Sequence, residues 1–298
     1  MTKITLLDGS IGQELVRRSG DRATPLWSTR VMIDQPDLVG KVHADYFARG
    51  ATVATTNTYA VHRSRLERVG LEGDMPALID TALKQAERAR ADFPNGRVAG
   101  SLGPLLASYR PDLNPDPAEA ASKFGELANL MSGRVDLFLI ETVSSIQEAE
   151  GALRGVEGCK KPVWLALTVM DDDGARLRSG EALADIAPLL DRFDPEAVLI
   201  NCSRPEAIPA ALEILQGFSR PFGAYANGFT RISEGFLKDA PTVDALEQRR
   251  DLGPEAYADQ AMGWVEQGAT IVGGCCEVGP EHISELARRL RAAGHDII

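Results

Sequence analysis

The stretch Val135-Asp136-Leu137-Phe138-Leu139-Ile140-Glu141-Thr142 is followed closely by Ser144-Ser145-Ile146-Gln147-Glu148. The first piece is almost continuously apolar, so it reads as a strand covered on both faces, as in a parallel sheet. It ends on two polar residues. The second piece reads as the start of a helix, with a serine placed to cap it. Together they make one strand-then-helix unit with chemistry at the strand's carboxyl end.

The same unit recurs along the chain. Short apolar runs occupy 4–8, 51–58, 97–104, 135–142, 162–169, 196–202, 221–227 and 268–275. Helical periodicity occupies 36–49, 76–91, 117–132, 145–156, 180–190, 205–215, 254–266 and 280–293. Six of these helices carry Pro near the first turn, where its missing N–H costs least. Eight strands alternating with eight helices, with no Gly/Ser linker, predict one α/β domain over 1–298: a single (β/α)8 TIM barrel. The alternative is an open doubly wound sheet. No Gly-x-Gly-x-x-Gly follows the first strand, which counts against that reading. Two long connections, 9–34 and 228–253, leave the strand ends that carry barrel active sites.

Composition narrows the function. The 298 residues are 44% hydrophobic and 25% charged, with a net charge of −11. That is globular composition, and its sign disfavours nucleic acid as a partner. No apolar run approaches the length of a membrane helix, and the N-terminus lacks a signal peptide's pattern, so a cytoplasmic protein is expected. Small-molecule substrates are the expected partners, and oligomeric state is left open.

If the barrel forms, the polar residues at the strand ends share one mouth. They are Asp8, Asn57, Ser101, Gly103, Glu141, Thr168, Cys202, Asn227 and the pair Cys275-Cys276. Three of the four cysteines are in this set. Gly273-Gly274 permits a bend that would turn both members of the pair inward, and Cys202 lies two strands away. Three thiolates with an open fourth position describe a catalytic zinc site. The competing readings are a redox dithiol at Cys275-Cys276 and inert buried cysteines. Cys159 falls at the opposite face and reads as a bystander. None of the four histidines (His43, His62, His282, His295) falls on a strand end; His43 reads as a helix-face residue and His295 as part of a polar tail. A histidine-rich hydrolytic centre is therefore disfavoured. Asp8 and Glu141 are two carboxylates at one mouth, suited to acid/base work, to holding an ammonium group, or to capping loop N–H groups. Tyr59, Tyr109 and Tyr225 could present faces to a cation.

With those residues in view, the chain resembles the homocysteine S-methyltransferases, a zinc-dependent family of homocysteine-binding barrels with betaine- and S-methylmethionine-dependent members. The resemblance covers roughly residues 6 to 290. It rests on Leu7-Asp8-Gly9-Ser10-Ile11-Gly12-Gln13-Glu14-Leu15, Thr55-Thr56-Asn57-Thr58-Tyr59, Gly100-Ser101-Leu102-Gly103-Pro104 and Glu141-Thr142. Asn201-Cys202-Ser203, Tyr225-Ala226-Asn227-Gly228 and Gly273-Gly274-Cys275-Cys276 complete it. The resemblance implies zinc on Cys202, Cys275 and Cys276, and Asp8 and Glu141 at the amino-acid end of homocysteine. Gly9, Asn57 and Thr142 join them as candidate substrate-binding residues. It further implies a small cationic methyl donor and methionine as product. Two segments depart from the family pattern. Glu277-Val278-Gly279-Pro280 replaces a Thr-Thr-Pro-type helix start, and Gly9-Ser10 replaces Gly-Gly. A zinc hydrolase or lyase, or a redox-active dithiol protein, on the same barrel are the rival functions.

Overall fold

The computed structural model describes residues 2–20, 24, 26–232 and 246–298. Eight parallel strands form its centre: β1 (Lys3–Leu6), β2 (Val53–Thr55), β3 (Arg97–Leu102), β4 (Leu137–Val143), β5 (Val163–Leu167), β6 (Ala197–Asn201), β7 (Phe222–Tyr225) and β8 (Ile271–Val272). The ladders run from β2 to β8 in sequence order, and β8 then pairs with β1. A bridge between Leu7 and Val53, with Thr52 N–H donating to the Leu6 carbonyl, joins β1 to β2 and closes the ring. The expected (β/α)8 barrel is what forms.

The helices are α1 (Ile11–Ser19), α2 (Ser28–Asp34), α3 (Pro36–Ala48), α4 (Arg63–Leu66), α5 (Met75–Ala91), α6 (Pro117–Met131), α7 (Ile146–Val156), α8 (Ala187–Phe193), α9 (Ile208–Leu215), α10 (Pro254–Glu266) and α11 (Pro280–Ala292). Ser145 caps α7 as expected, its hydroxyl accepting from the Glu148 N–H. The apolar stripes of the helices pack on the outer face of the sheet. A second cluster fills the barrel itself, with Leu7, Val53, Ala99, Leu137, Leu139, Trp164, Ala166, Leu199, Tyr225 and Ile271.

Strand alternation now fixes what reaches the mouth. Leu137 and Leu139 point inward, so Glu141, two residues on, does too. Ala99 places Ser101 on the inner face in the same way, and Tyr225 is itself a barrel residue.

Several expectations need correction. The 9–34 connection is not an open loop, because α1 and α2 occupy most of it. The middle of the 228–253 connection lies outside the described residues. Strand β8 ends at Val272, so Cys275 and Cys276 sit three and four residues beyond it in an irregular turn. The C-terminal residues 296–297 are not a loose polar tail. They form β9 (Asp296–Ile297), parallel to β1. His43 faces the interior of α3's packing, fully buried, and burial holds its imidazole down at about 4.

Candidate active site and metal centre

One cavity of about 150 Å³ opens at the carboxyl ends of the strands. Its walls include all eight residues singled out from sequence: Asp8, Gly9, Asn57, Glu141, Thr142, Cys202, Cys275 and Cys276. Of the other strand-end residues, Ser101 joins them. Thr168 and Asn227 lie outside the lining and act as support. Thr168 donates to the Cys202 carbonyl, and the Asn227 carboxamide oxygen accepts from the Phe229 N–H.

The sulfur atoms of Cys202, Cys275 and Cys276 all lie within 4.8 Å of one another. Among the described residues this is the one group of three metal-ligating side chains. Cys202 and Cys275 are joined by a disulfide, and the Cys276 sulfur is 4.0 Å from that of Cys275. The redox-dithiol reading placed the disulfide partners at 275 and 276. The pair that bonds is instead 202 and 275, because the turn after β8 swings Cys275 toward β6. Four-coordinate zinc with bonds of roughly 2.3 Å holds its sulfurs roughly 3.8 Å apart. The three sulfurs fit that spacing once the disulfide is reduced, and among the described residues no fourth protein ligand closes the set. Burial pushes the Cys276 thiol up to about 12, with Glu277 adding to it. Without a cation this sulfur stays protonated at neutral pH.

The local backbone is shaped to make this possible. Cys202, Thr142 and Glu277 all have positive φ, at 46°, 60° and 65°. Such a conformation is unfavourable for a β-branched residue like Thr142 and needs support. Asn201 supplies it by accepting from the Thr142 N–H at 2.9 Å and donating to its hydroxyl at 3.0 Å. Gly9 and Gly274 let the first and last loops touch. A Cβ on Gly9 would sit 2.1 Å from the Val278 carbonyl oxygen, and one on Gly274 would sit 2.1 Å from the Val278 side chain. The two segments that depart from the family pattern are therefore in contact. Ser10 N–H donates to Val278 O, and Gln13, in the first turn of α1, accepts from the Glu277 N–H and donates to its carboxylate.

The two carboxyls lie on the cavity wall. Asp8 accepts from the Thr55 N–H and hydroxyl, both at 2.7 Å, which ties the end of β1 to β2. Glu141 accepts from the Ser101 hydroxyl and, at 3.1 Å, from the Tyr225 hydroxyl. Burial raises Asp8 to about 8 and Glu141 to about 7, and each outweighs the hydrogen bonds that favour the anion. Neighbouring Glu141 pushes Asp8 up further. At neutral pH Glu141 is roughly half ionised and Asp8 mostly protonated, and a cation brought between them would favour the charged form of both. Asp8 meets the capping reading through the Thr55 N–H.

Asn57 is a wall residue of a different kind. Its side-chain amide donates to the Ser28 carbonyl and contacts the Met32 sulfur, so it pins α2 over the mouth. Trp27, Arg65, Ser108 and Phe229 also line the cavity and had no signal in the sequence, because their loops approach the mouth only in three dimensions. Trp27 meets Tyr59 edge to face at 6.3 Å. The tyrosine faces are partly taken already: Arg65 lies over Tyr59 at 5.7 Å and Arg178 over Tyr109 at 5.2 Å, while the Tyr225 hydroxyl serves Glu141.

A model of the family described as homocysteine S-methyltransferase matches residues 5–290. The chain belongs to the homocysteine S-methyltransferase family. It is 31% identical to a homocysteine S-methyltransferase of Escherichia coli (strain K12), over 96% of this chain and 95% of that protein. It is 29% identical to homocysteine S-methyltransferase YbgG of Bacillus subtilis (strain 168), over 97% and 95%. The solved homocysteine methyltransferase MmuM of E. coli superposes with a TM-score of 0.81 in its metallated form, at 28% identity and 96% coverage of each chain. Its oxidized form superposes equally well.

Proposed function

We propose that this protein transfers a methyl group from a small cationic donor to the thiol of homocysteine, giving methionine, with zinc held by Cys202, Cys275 and Cys276. The observation that carries this reading is the coincidence of three clustered sulfurs and a buried carboxyl pair in one cavity of a chain from this family. Bound there, zinc would hold the acceptor sulfur as a thiolate at a pH where a free thiol keeps its proton. Asp8 and Glu141 hold the ammonium group of the acceptor and fix its orientation. Ser101 and Tyr225 hold Glu141 in turn. Gly9 and Thr142 shape the wall with backbone that no bulky side chain blocks, and Asn57 keeps α2 over the mouth. The walls exclude water and align the two bound molecules, which is worth on the order of 7–11 kcal/mol in a two-substrate reaction. The balance is simple. The sulfur–methyl bond forms as the donor's bond to that methyl breaks, and the donor leaves neutral, so no acid is needed.

The test uses reduced, zinc-loaded protein with homocysteine and a panel of S-methylmethionine, S-adenosylmethionine, betaine and dimethylsulfoniopropionate. Methionine formation from at least one donor is expected. Hydrolysis of a substrate with no methionine formed would favour a zinc hydrolase. Thiol–disulfide turnover with no zinc bound would favour the redox reading, which the Cys202–Cys275 disulfide keeps in view.

A further inference from the structure

Arg65 is a cation on the cavity wall to which the proposed function gives no role. It lies on α4, just past β2, and its Nη2 donates to the Pro104 carbonyl at 2.8 Å. Its Nε is buried and has no hydrogen-bond partner. No described carboxylate lies within ion-pair distance of it. Glu148, the carboxyl whose charge it feels, is committed to the Ser144 N–H and hydroxyl at 2.7 Å. A partly buried guanidinium whose Nε has no partner costs free energy unless an acceptor completes it. We propose that Arg65 is the anion-binding group of the donor subsite, taking the carboxylate of a zwitterionic methyl donor, a sulfonium or ammonium acid.

This rests on the methyl-transfer reading above and specifies its donor class. The alternative holder of a carboxylate is homocysteine itself. Its ammonium and carboxylate are on one carbon and the next, so an acceptor anchored at Asp8 and Glu141 keeps both charges there. Arg65 sits on that wall over Tyr59. The groups that act on its charge are Tyr59, Arg68 and Glu148, not Asp8 or Glu141. Tyr59 and Tyr109 line the same cavity as Arg65 and the sulfurs. Tyr59 carries the guanidinium over its ring and hydrogen-bonds Ser108, and Tyr109 feels both Tyr59 and Cys276. A donor with its carboxylate on Arg65 keeps its cationic end in the cavity that Cys276 also lines. The same arginine repels a cation that brings no carboxylate, so it selects for zwitterions.

The probe is 4-methylpentanoate, which has the shape of dimethylsulfoniopropionate with carbon for sulfur and no methyl to give. Calorimetry on the zinc-loaded protein should show about tenfold or more tighter binding of this acid than of 4-methylpentanamide, with or without homocysteine. Arg65→Gln should erase the preference and Arg65→Lys should keep part of it. In kinetics, Arg65→Gln should raise the KM of a carboxylate donor about tenfold or more, leave the homocysteine KM unchanged, and improve trimethylsulfonium as a donor. Equal binding of acid and amide by the wild-type protein, which requires no variant to fold, overturns the proposal. So does competitive displacement of homocysteine by the acid, or a shift of the homocysteine KM in Arg65→Gln. Failure of every donor to yield methionine while the acid preference persists would defeat the methyl-transfer reading and not the anion site.

Discussion

Replacing Glu141 by Gln keeps its size and its contacts with Ser101 and Tyr225, whose hydroxyls can each reverse their hydrogen bonds, and removes only the charge. With a value of about 7, Glu141 is roughly half ionised at pH 7. Completing its ionisation for an incoming ammonium costs about 0.4 kcal/mol. The charge-assisted hydrogen bond gained is worth about 1.5–3 kcal/mol. The net loss in Glu141→Gln is then about 1–2.5 kcal/mol, or roughly a 5- to 70-fold higher KM for homocysteine, with little change in kcat at saturation. The assay pairs homocysteine with 4-mercaptobutanoate, the same thiol acid without the amino group. Wild-type protein should prefer homocysteine, and the preference should grow from pH 6 to pH 8 as Glu141 ionises. In Glu141→Gln the preference should shrink, along with that part of its pH dependence. An equal rise in KM for both thiols would mean that the variant damaged the cavity generally. An unchanged preference would show that Glu141 does not hold the ammonium group.

Other outcomes follow from the same geometry. Alanine at Cys202, Cys275 or Cys276 should abolish stoichiometric zinc binding and methyl transfer, while Cys159→Ala, at the far end of the barrel, should do neither; elemental analysis and a methionine assay check this, and full activity in Cys276→Ala would exclude the three-sulfur site. Asp8 has a folded value of about 8 against 3.8 when exposed. The folded state holds its proton more tightly, so the stability it contributes is full below about pH 4 and is lost as the pH rises through 8. Asp8→Asn should flatten the fall in Tm of the metal-free protein between about pH 5 and 8, and parallel slopes would contradict the assignment. Gly9→Ala should lower Tm by several degrees, since overpacking against the Val278 carbonyl costs about 1–3 kcal/mol; Gly73→Ala, where a Cβ meets nothing within 4 Å, is the control.

The barrel was legible because the pattern repeats. A run such as Leu137–Val143 is buried along its whole length, and its parity alone aims Glu141 at the axis. The sulfur cluster was legible because cysteines are rare and three of them fall at or just past strand ends. What the sequence could not show is partnership across the mouth. That Asp8 would meet Thr55, that Glu141 would meet Tyr225, and that Arg65 would reach the cavity all depend on register and loop paths between distant segments. The connection after β1 looked like a loop because the alternation of small and polar residues in Gly9-Ser10 masks the start of α1. Asn57 lines the cavity, and that its amide nitrogen also reaches Ser28 and Met32 had no signal in the sequence.

The central claim is that homocysteine enters through its sulfur at the three-cysteine site. X-ray absorption at the zinc edge of the reduced, loaded protein counts sulfur neighbours directly. Three sulfurs and one lighter atom are expected without acceptor, and four sulfurs after homocysteine is added. A count that stays at three when homocysteine is demonstrably bound would contradict the account, even with the barrel and its three cysteine ligands intact.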